Sequence, residues 1–334
     1  MSSPDSAQHR AVCSGEAEPL PAGQRPEPGP IAVLPEPEPR FVAAVEAAGG
    51  VVEPLSERTR GIVWLSYQDA HDFPPVLAAH PGIGWVQLPF AGVDAFAAVL
   101  AAEQRPGLVW TSAKGAYAQP VAEHALTLTL ALLRVLPKRV RATNWSTAQE
   151  GTSLYGLNVV ILGAGGIALE LVRLLEPFGV RVTIVRRTPQ PVPGAERTVS
   201  ADRLDAVLPD ADVVVVAAAL TETTRRLFGA PQFAAMKPTA VFVNIARGGL
   251  VDTDALLAAL RGCEIAGAGV DVTDPEPLPD GHPLWSEPNC IVTPHQADTP
   301  EMVAPLLAER IRSNVRAFLG DGRFVGLVDP AAGY

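Results

Sequence analysis

Apolar residues recur along this chain in two alternating rhythms. Short runs at Ile31-Ala32-Val33-Leu34, Val51-Val52, Ile62-Val63-Trp64-Leu65, Trp85-Val86-Gln87-Leu88 and Leu108-Val109-Trp110 have the length and β-branched or aromatic content of buried strands. Between them, Phe41-Val42-Ala43-Ala44-Val45 and Phe96-Ala97-Ala98-Val99-Leu100 suit helices. Strands alternating with helices predict βαβ units on a parallel sheet, so this stretch reads as a complete small α/β domain. Pro120 then opens a long helix, since proline suits the first helical turn. Val121, Ala125, Leu126, Leu128, Leu132, Leu133 and Leu136 cover nearly all its faces, which predicts burial at a domain junction or dimer interface, and Pro137 kinks or ends it.

A second α/β unit begins at Val159-Val160-Ile161-Leu162. Its first helix places Ile167, Leu171, Leu174, Leu175 and Phe178 at helical spacing and stops at Gly179. Further strands are predicted at Val182 to Val185, Val213 to Val216, Val241 to Val243, Gly269-Val270 and Ile291 to Thr293. The segment from Pro300 to Leu319 is again helical, with Met302, Val303, Leu306, Leu307, Ile311, Val315 and Phe318 on one stripe.

Composition narrows the class. At 334 residues the chain exceeds one ordinary domain, and 48% hydrophobic against 19% charged residues leaves material for sizeable cores. A net charge of −10 argues against nucleic acid as a partner, because a phosphate backbone wants a basic face. Cys13, Cys263 and Cys290 form neither a disulfide framework nor a metal-ligand spacing, so no metal is expected and reduced thiols in the cytoplasm fit best. Residues 1–29, rich in Pro, Glu, Ser and Gly and lacking an apolar stretch, read as a disordered leader rather than a signal peptide. No uninterrupted apolar run approaches a membrane span.

The chemistry is carried by loops beyond the apolar runs. Gly163-Ala164-Gly165-Gly166-Ile167-Ala168 sits between a strand and a helix, the context that turns a glycine pattern into a dinucleotide loop. Gly163 permits the tight turn, Gly165 lets the backbone approach a pyrophosphate, and Ala168 allows close helix–strand packing. The amides of Gly166 and Ile167 would then face phosphate at the helix N-terminus. An NAD site expects an acid at the end of the next strand, whereas this strand ends Val185-Arg186-Arg187-Thr188. Two guanidiniums there suit a 2′-phosphate, so NADP(H) is the expected cofactor, with NAD(H) the other possibility. Further on stand Arg247 in Asn-Ile-Ala-Arg-Gly-Gly, Glu276 in Asp-Pro-Glu-Pro, and His295 in Thr-Pro-His-Gln-Ala-Asp. Reducing a 2-keto acid needs this set: a cation to grip the carboxylate, an acid to protonate the carbonyl oxygen, and an anion to keep that acid charged. His71, His80, His124 and His282 lack such company and read as structural or exposed.

On these motifs the chain resembles the D-isomer-specific 2-hydroxyacid dehydrogenases, the family of glyoxylate/hydroxypyruvate reductases, D-lactate dehydrogenases and phosphoglycerate dehydrogenases. The likeness also rests on Leu-Thr-Glu-Thr-Thr-Arg at 220–225, Gly-Val-Asp-Val-Thr-Asp-Pro-Glu-Pro-Leu-Pro at 269–279 and His-Pro-Leu-Trp at 282–285, and covers roughly residues 31–325. It implies an α/β fold of two Rossmann-like, doubly wound parallel-sheet domains with an inter-domain cleft. The substrate-binding domain would comprise 30–117 and 298–334, and the dinucleotide-binding domain 118–297. It implies that Arg247 binds the substrate carboxylate, that His295 is the general acid, and that Glu276 pairs with the imidazole. Asp271 would hold the nicotinamide amide, Ala246 would border the cofactor, and the amides of Ala91 and Gly92 would receive the carboxylate. A homodimer is implied as well. The chain departs from the family at the missing ribose acid, which puts NAD preference in doubt, and at Ala219, where many members have Pro. The same fold also serves as a catalytically weak NAD(H)-sensing corepressor, which is the alternative reading. A short-chain dehydrogenase would need Tyr-x-x-x-Lys, and none of Tyr67, Tyr117, Tyr155 or Tyr334 is followed by Lys four residues on.

Overall fold

Each apolar run of the first part of the chain becomes a parallel strand: β1 (Ile31–Leu34), β2 (Gly61–Trp64), β3 (Trp85–Gln87) and β4 (Val109–Thr111) pair in that order. Val52 adds a single parallel bridge to Ile31 on the outer side of β1. With it the order is that of a doubly wound sheet whose winding reverses beside β1. In this computed structural model, which describes residues 8–13 and 16–330, the sheet belongs to a unit built from both ends of the chain, up to Tyr117 and again from Pro300.

Side-chain alternation gives this sheet two different faces. Ile62, Trp64, Val86, Leu88 and Trp110 point to one side, where α2 (Phe73–Ala79) and the segment leading into α3 (Ala97–Ala102) supply Phe73, Leu77, Phe96, Val99 and Leu100. Phe73 sits 4.8 Å from the Trp64 ring and 5.8 Å from that of Trp110. The other face packs Trp85 against Phe318 of the C-terminal helix (Pro300–Leu319) and against Phe324, while α1 (Pro39–Ala47) lies beside that helix. This second face carries a buried polar cluster. Asn314 donates to Gln87 Oε1 (2.7 Å) and Val325 O (2.9 Å) and accepts from Val325 N (2.7 Å), while Trp85 Nε1 donates to Thr111 Oγ1 (3.0 Å).

The composition of residues 1–29 predicts disorder, and over the described residues 8–13 and 16–29 the segment lies along the first unit with almost no regular structure of its own. Val12 N donates to Gly115 O (2.8 Å), Leu20 N to Gly322 O (3.2 Å), and Pro26 is buried against Gly84. The segment needs no core of its own, because it borrows the first unit's surface. Its prolines also leave it less backbone freedom to lose. Residues 1–7 and 14–15, which the same expectation covers, lie outside the described residues.

The second unit, Ala118–Thr299, is one uninterrupted stretch of chain. Its sheet has seven parallel strands in the order β11-β10-β9-β8-β5-β6-β7: β5 (Asn158–Leu162), β6 (Arg181–Arg186), β7 (Arg197–Ser200), β8 (Val213–Val216), β9 (Val241–Asn244), β10 (Gly267–Val270) and β11 (Cys290–Val292). Winding reverses between β5 and β8, the position at which open α/β sheets hold ligands beyond their C-terminal edge. β7 was not anticipated: Arg-Thr-Val-Ser has no apolar run, as suits a polar edge strand. The long helix α4 (Ala118–Leu133) begins two residues before Pro120 and packs on α6 (Gly166–Leu175) and on β9, β10 and β11. Its apolar surround thus meets its own sheet and a neighbouring helix. Leu136, expected on that buried helix, is 44% exposed, because Val135 turns left-handed (φ 54°) and starts a new short helix, α5 (Leu136–Val140). No helix among the described residues is long and apolar enough to cross a membrane.

Replacing Asn314 with Ala removes one of the two donors to the buried Gln87 Oε1 and takes the side-chain partner from both backbone groups of the half-buried Val325. The first unit should lose about 3 kcal/mol. Urea unfolding followed by tryptophan fluorescence, to which Trp64, Trp85 and Trp110 of the first unit contribute, should show a lowered midpoint. An unchanged midpoint would mean that the polar cluster does not hold the C-terminal helix to its sheet.

Candidate active site

The nucleotide end of the site begins where β5 stops. Gly163 has φ +109° and its N–H donates to Val185 O (2.8 Å). A Cβ there would collide with the carbonyl of Ala217, so only glycine fits. Gly165 caps α6, and the direction of its missing Cβ is open, leaving room for a ligand to approach the backbone. Gly166 and Ile167 form the first helical turn, whose amides lack intrahelical partners, and Ala168 is fully buried against the strand layer. Leu162 pairs in register with Val185, so Gly163 and Arg186 leave neighbouring strands side by side. Arg186 is half-buried and Arg187 exposed.

The acid–base end is assembled from the loops that leave β9, β10 and β11. At the end of β9, the buried Asn244 accepts from Ala246 N (3.1 Å) and donates to Arg247 O (3.0 Å), folding Ile245–Arg247 into a fixed turn. Arg247 Nη1 donates to Ala246 O (2.7 Å). The next residue, Gly248, lies directly against the backbone of Thr273 and Asp274, where any side chain would collide. That contact locks the Arg247 loop to the loop bearing Glu276.

His295 meets Glu276 through a 2.5 Å contact between Nδ1 and Oε1. A carboxylate only accepts, so Nδ1 carries the proton and Nε2 is left as the exchangeable site. The imidazole's pKa is raised, first by the hydrogen bond to Glu276. Burial opposes, the Glu276 charge adds to the rise, the Arg247 charge opposes and that of Asp271 adds. Since the folded value lies above the ordinary 6.5, the pair's contribution to stability is complete below pH 6.5 and disappears as pH rises through the raised value. Both side chains are partly exposed, which keeps that contribution small.

His295 also stands at φ +51°, an uncommon conformation for a residue with a side chain. Its N–H donates to Asp271 O (2.7 Å) and Thr293 O (2.8 Å). The Asp271 carboxylate, almost wholly buried, accepts from Thr293 Oγ1 (2.7 Å), Gln296 N (2.9 Å) and Ala297 N (3.2 Å). His124 of α4 reaches Thr293 Oγ1 at 2.9 Å. Sequence reasoning set His124 aside as structural or exposed, and it also passed over Asn244 and Asp298. Burial pushes the Asp298 carboxyl up to about 6, with the charge of His295 opposing and that of Asp271 adding.

The remaining predicted residues, Ala91 and Gly92, belong to the first unit. They are half-buried in a loop after β3, held by Tyr117 Oη donating to Pro89 O (2.6 Å) and Ala113 N donating to Phe90 O (3.0 Å). Among the described residues no group of three His, Cys, Asp or Glu is placed to hold a metal ion.

Comparison with known proteins identifies the family. The family model described as D-isomer specific 2-hydroxyacid dehydrogenase, NAD binding domain, matches residues 126–297. An uncharacterized protein of Corynebacterium melassecola is 39% identical over 257 residues, 75% of this chain and 84% of that one. The human glyoxylate reductase/hydroxypyruvate reductase is 40% identical over 182 residues, 52% of this chain and 56% of its own, so the chain spans about half the length of that relative. A D-isomer specific 2-hydroxyacid dehydrogenase from Xanthobacter autotrophicus Py2, solved with NADPH and MES, has 29% identity and a TM-score of 0.75, covering 92% of this chain and 100% of that one. An NADPH-dependent glyoxylate/hydroxypyruvate reductase from Sinorhizobium meliloti, solved with NADP and sulfate, has 26% identity and a TM-score of 0.74, covering 92% and 100%.

Followed by proton NMR of the imidazoles, His295 should titrate above the free-imidazole value of about 6.5. Glu276→Gln should move that titration to lower pH, because the anion that stabilises the charged ring is gone. A titration left in place by the substitution would remove Glu276 as the cause.

Proposed function

Because this chain belongs to the D-isomer specific 2-hydroxyacid dehydrogenase family, a family of NAD(P)-dependent oxidoreductases, we propose that it reduces a small 2-keto acid to the D-2-hydroxy acid. The observation that carries this reading is the Glu276–His295 pair beside the Arg247 loop. The cofactor, when bound, supplies a hydride to the keto carbon. Negative charge then grows on the carbonyl oxygen, and the proton on His295 Nε2 meets it. Glu276 keeps that proton available near neutrality by favouring the imidazolium. Arg247 grips the substrate carboxylate and polarises the carbonyl, and the amides of Ala91 and Gly92 are assigned to the same carboxylate. In the reverse direction His295 is the base.

The open approach at Gly165 and the first turn of α6 fit a pyrophosphate. Arg186 and Arg187 in place of a ribose-binding acid support NADP(H) over NAD(H). Ala246 and Asp271 complete the cofactor's nicotinamide end in this reading. The alternative, a corepressor-like sensor of NAD(H), has no observation of its own, and sensing needs no proton donor. The enzyme is read as cytoplasmic, in keeping with its free Cys13, Cys263 and Cys290. It is also read as a homodimer, through the apolar surface that Leu136, Val140 and Trp285 expose around α5 and the edge strand β11.

The test is a cofactor-oxidation screen of glyoxylate, hydroxypyruvate, pyruvate and phenylpyruvate with NADPH and with NADH. NADPH should give the higher kcat/KM with at least one substrate, and Arg186→Asp should narrow or invert the ratio. His295→Ala should lower kcat by about two to four decades. Arg247→Ala should raise KM and lower kcat together. No turnover with any of these acids would defeat the substrate class, and an unchanged cofactor ratio in Arg186→Asp would remove that residue from the specificity site.

A further inference from the structure

His124 lies on a long, mostly apolar helix, and its side chain enters the His295 network. Its Nε2 lies 2.9 Å from Thr293 Oγ1 and 3.6 Å from Asp271 Oδ1. The threonine hydroxyl has a single proton, and that proton goes to Asp271 Oδ1 at 2.7 Å. The contact from His124 therefore runs from Nε2–H to the hydroxyl lone pair, and its direction is fixed: imidazole to hydroxyl to carboxylate. Asp271 then spends its other acceptor positions on the amides of Gln296 and Ala297, immediately beyond His295. Its own carbonyl takes the His295 amide. The proton donor is thus bracketed on both sides by groups that converge on one buried carboxylate.

That bracketing has work to do. At φ +51° the backbone of His295 occupies a region that a residue with a side chain leaves unless its surroundings hold it there. Relaxation of the turn would swing the imidazole away from Glu276, and a displacement of about 1 Å is enough to cost a catalytic group most of its effect. Thr293 is the outermost member of the bracket, and His124 is what orients its hydroxyl. α4 is a rigid anchor for this purpose, because it is packed on both the sheet and α6, where Gln119 donates to Glu170 Oε1 (3.1 Å).

We propose that His124 is a positioning residue for the reaction: through Thr293 and Asp271 it fixes the 293–297 turn that presents His295 to Glu276. The inference rests on the reading of His295 as proton donor. It assigns His124 no contact with substrate or cofactor.

Three variants of the full chain test it. His124→Leu fills the space without a donor. His124→Gln keeps an N–H that reaches about as far as Nε2. Thr293→Val removes the relay hydroxyl at constant shape. The leucine and valine variants should each lose on the order of tenfold in kcat, less than the roughly hundredfold or more expected when the general acid itself is removed, because His295 is misplaced and not lost. KM for the keto acid and the Kd for NADPH, read by fluorescence titration, should stay within about twofold, because neither substituted residue is assigned to a ligand and Asp271, at the nicotinamide end, keeps its bonds from the Gln296 and Ala297 amides. Glutamine should restore most of the rate, and the Leu/Val double variant should be no worse than its poorer parent, as expected for two members of one chain. Wild-type kcat in both single variants, or a glutamine variant as slow as leucine, overturns the proposal. If His124→Leu fails to fold, Thr293→Val carries the same decision alone. If the wild-type enzyme turns over none of the keto acids, the functional reading falls, and the positioning inference is decided by NMR. The His295 titration should then move to lower pH in His124→Leu and stay in place in His124→Gln, and no movement in the leucine variant sinks it.

Discussion

All strands of the seven-stranded sheet run the same way, and this constraint organises the rest of the molecule. Parallel strands deliver every departing loop to one edge. Gly163 follows β5, Arg187 follows β6, Arg247 follows β9, Asp271 directly follows β10, and His295 comes three residues after β11. Residues more than a hundred positions apart in sequence are thereby brought to a common rim without any long-range device beyond strand pairing. The reversal of winding between β5 and β8 opens that rim at the glycine loop. The rim is also where helix N-termini present unpaired amides.

Within that frame, charge does the finer sorting. Asp271 is buried yet acceptable, because three donors surround it within hydrogen-bonding distance. Glu276, by contrast, is left partly exposed with His295 as its principal partner. One carboxylate is therefore a structural anchor and the other an electrostatic one, although they stand five positions apart on the same connection. Arg247 pushes against the imidazolium even as Glu276 supports it.

The legible parts of the sequence were those in which local pattern and tertiary role coincide. Val213 to Val216 is an apolar run because it is a central strand buried on both faces, and it reads as one. Arg247, Glu276 and His295 stood out because Gly and Pro surround them in loops that need no charge for folding. Arg197–Ser200 did not stand out, because an edge strand can be polar and still find a partner through its backbone. Leu136 misled for the opposite reason: the apolar stripe continues past the point where Val135 breaks the helix. His124 was illegible in principle. Its partner lies 169 positions away, and nothing near it on an apolar helix marks one face as the face of a site.

The first unit's divided ancestry in the chain bears on how the protein is made. β1 to β4 leave the ribosome early, but their second face cannot be completed then. Ser112 O awaits Arg310, 198 positions later, and Gln87 awaits Asn314, 227 positions later. The second unit, being continuous, has all its strands before the final helix exists. Synthesis order and completion order are therefore inverted: the sheet begun first is finished last, and in the interval Trp85, Gln87 and Thr111 are exposed. A nascent chain of this design carries an unfinished apolar face through most of its translation, the state in which holding chaperones bind unfolded surface and aggregation competes with folding.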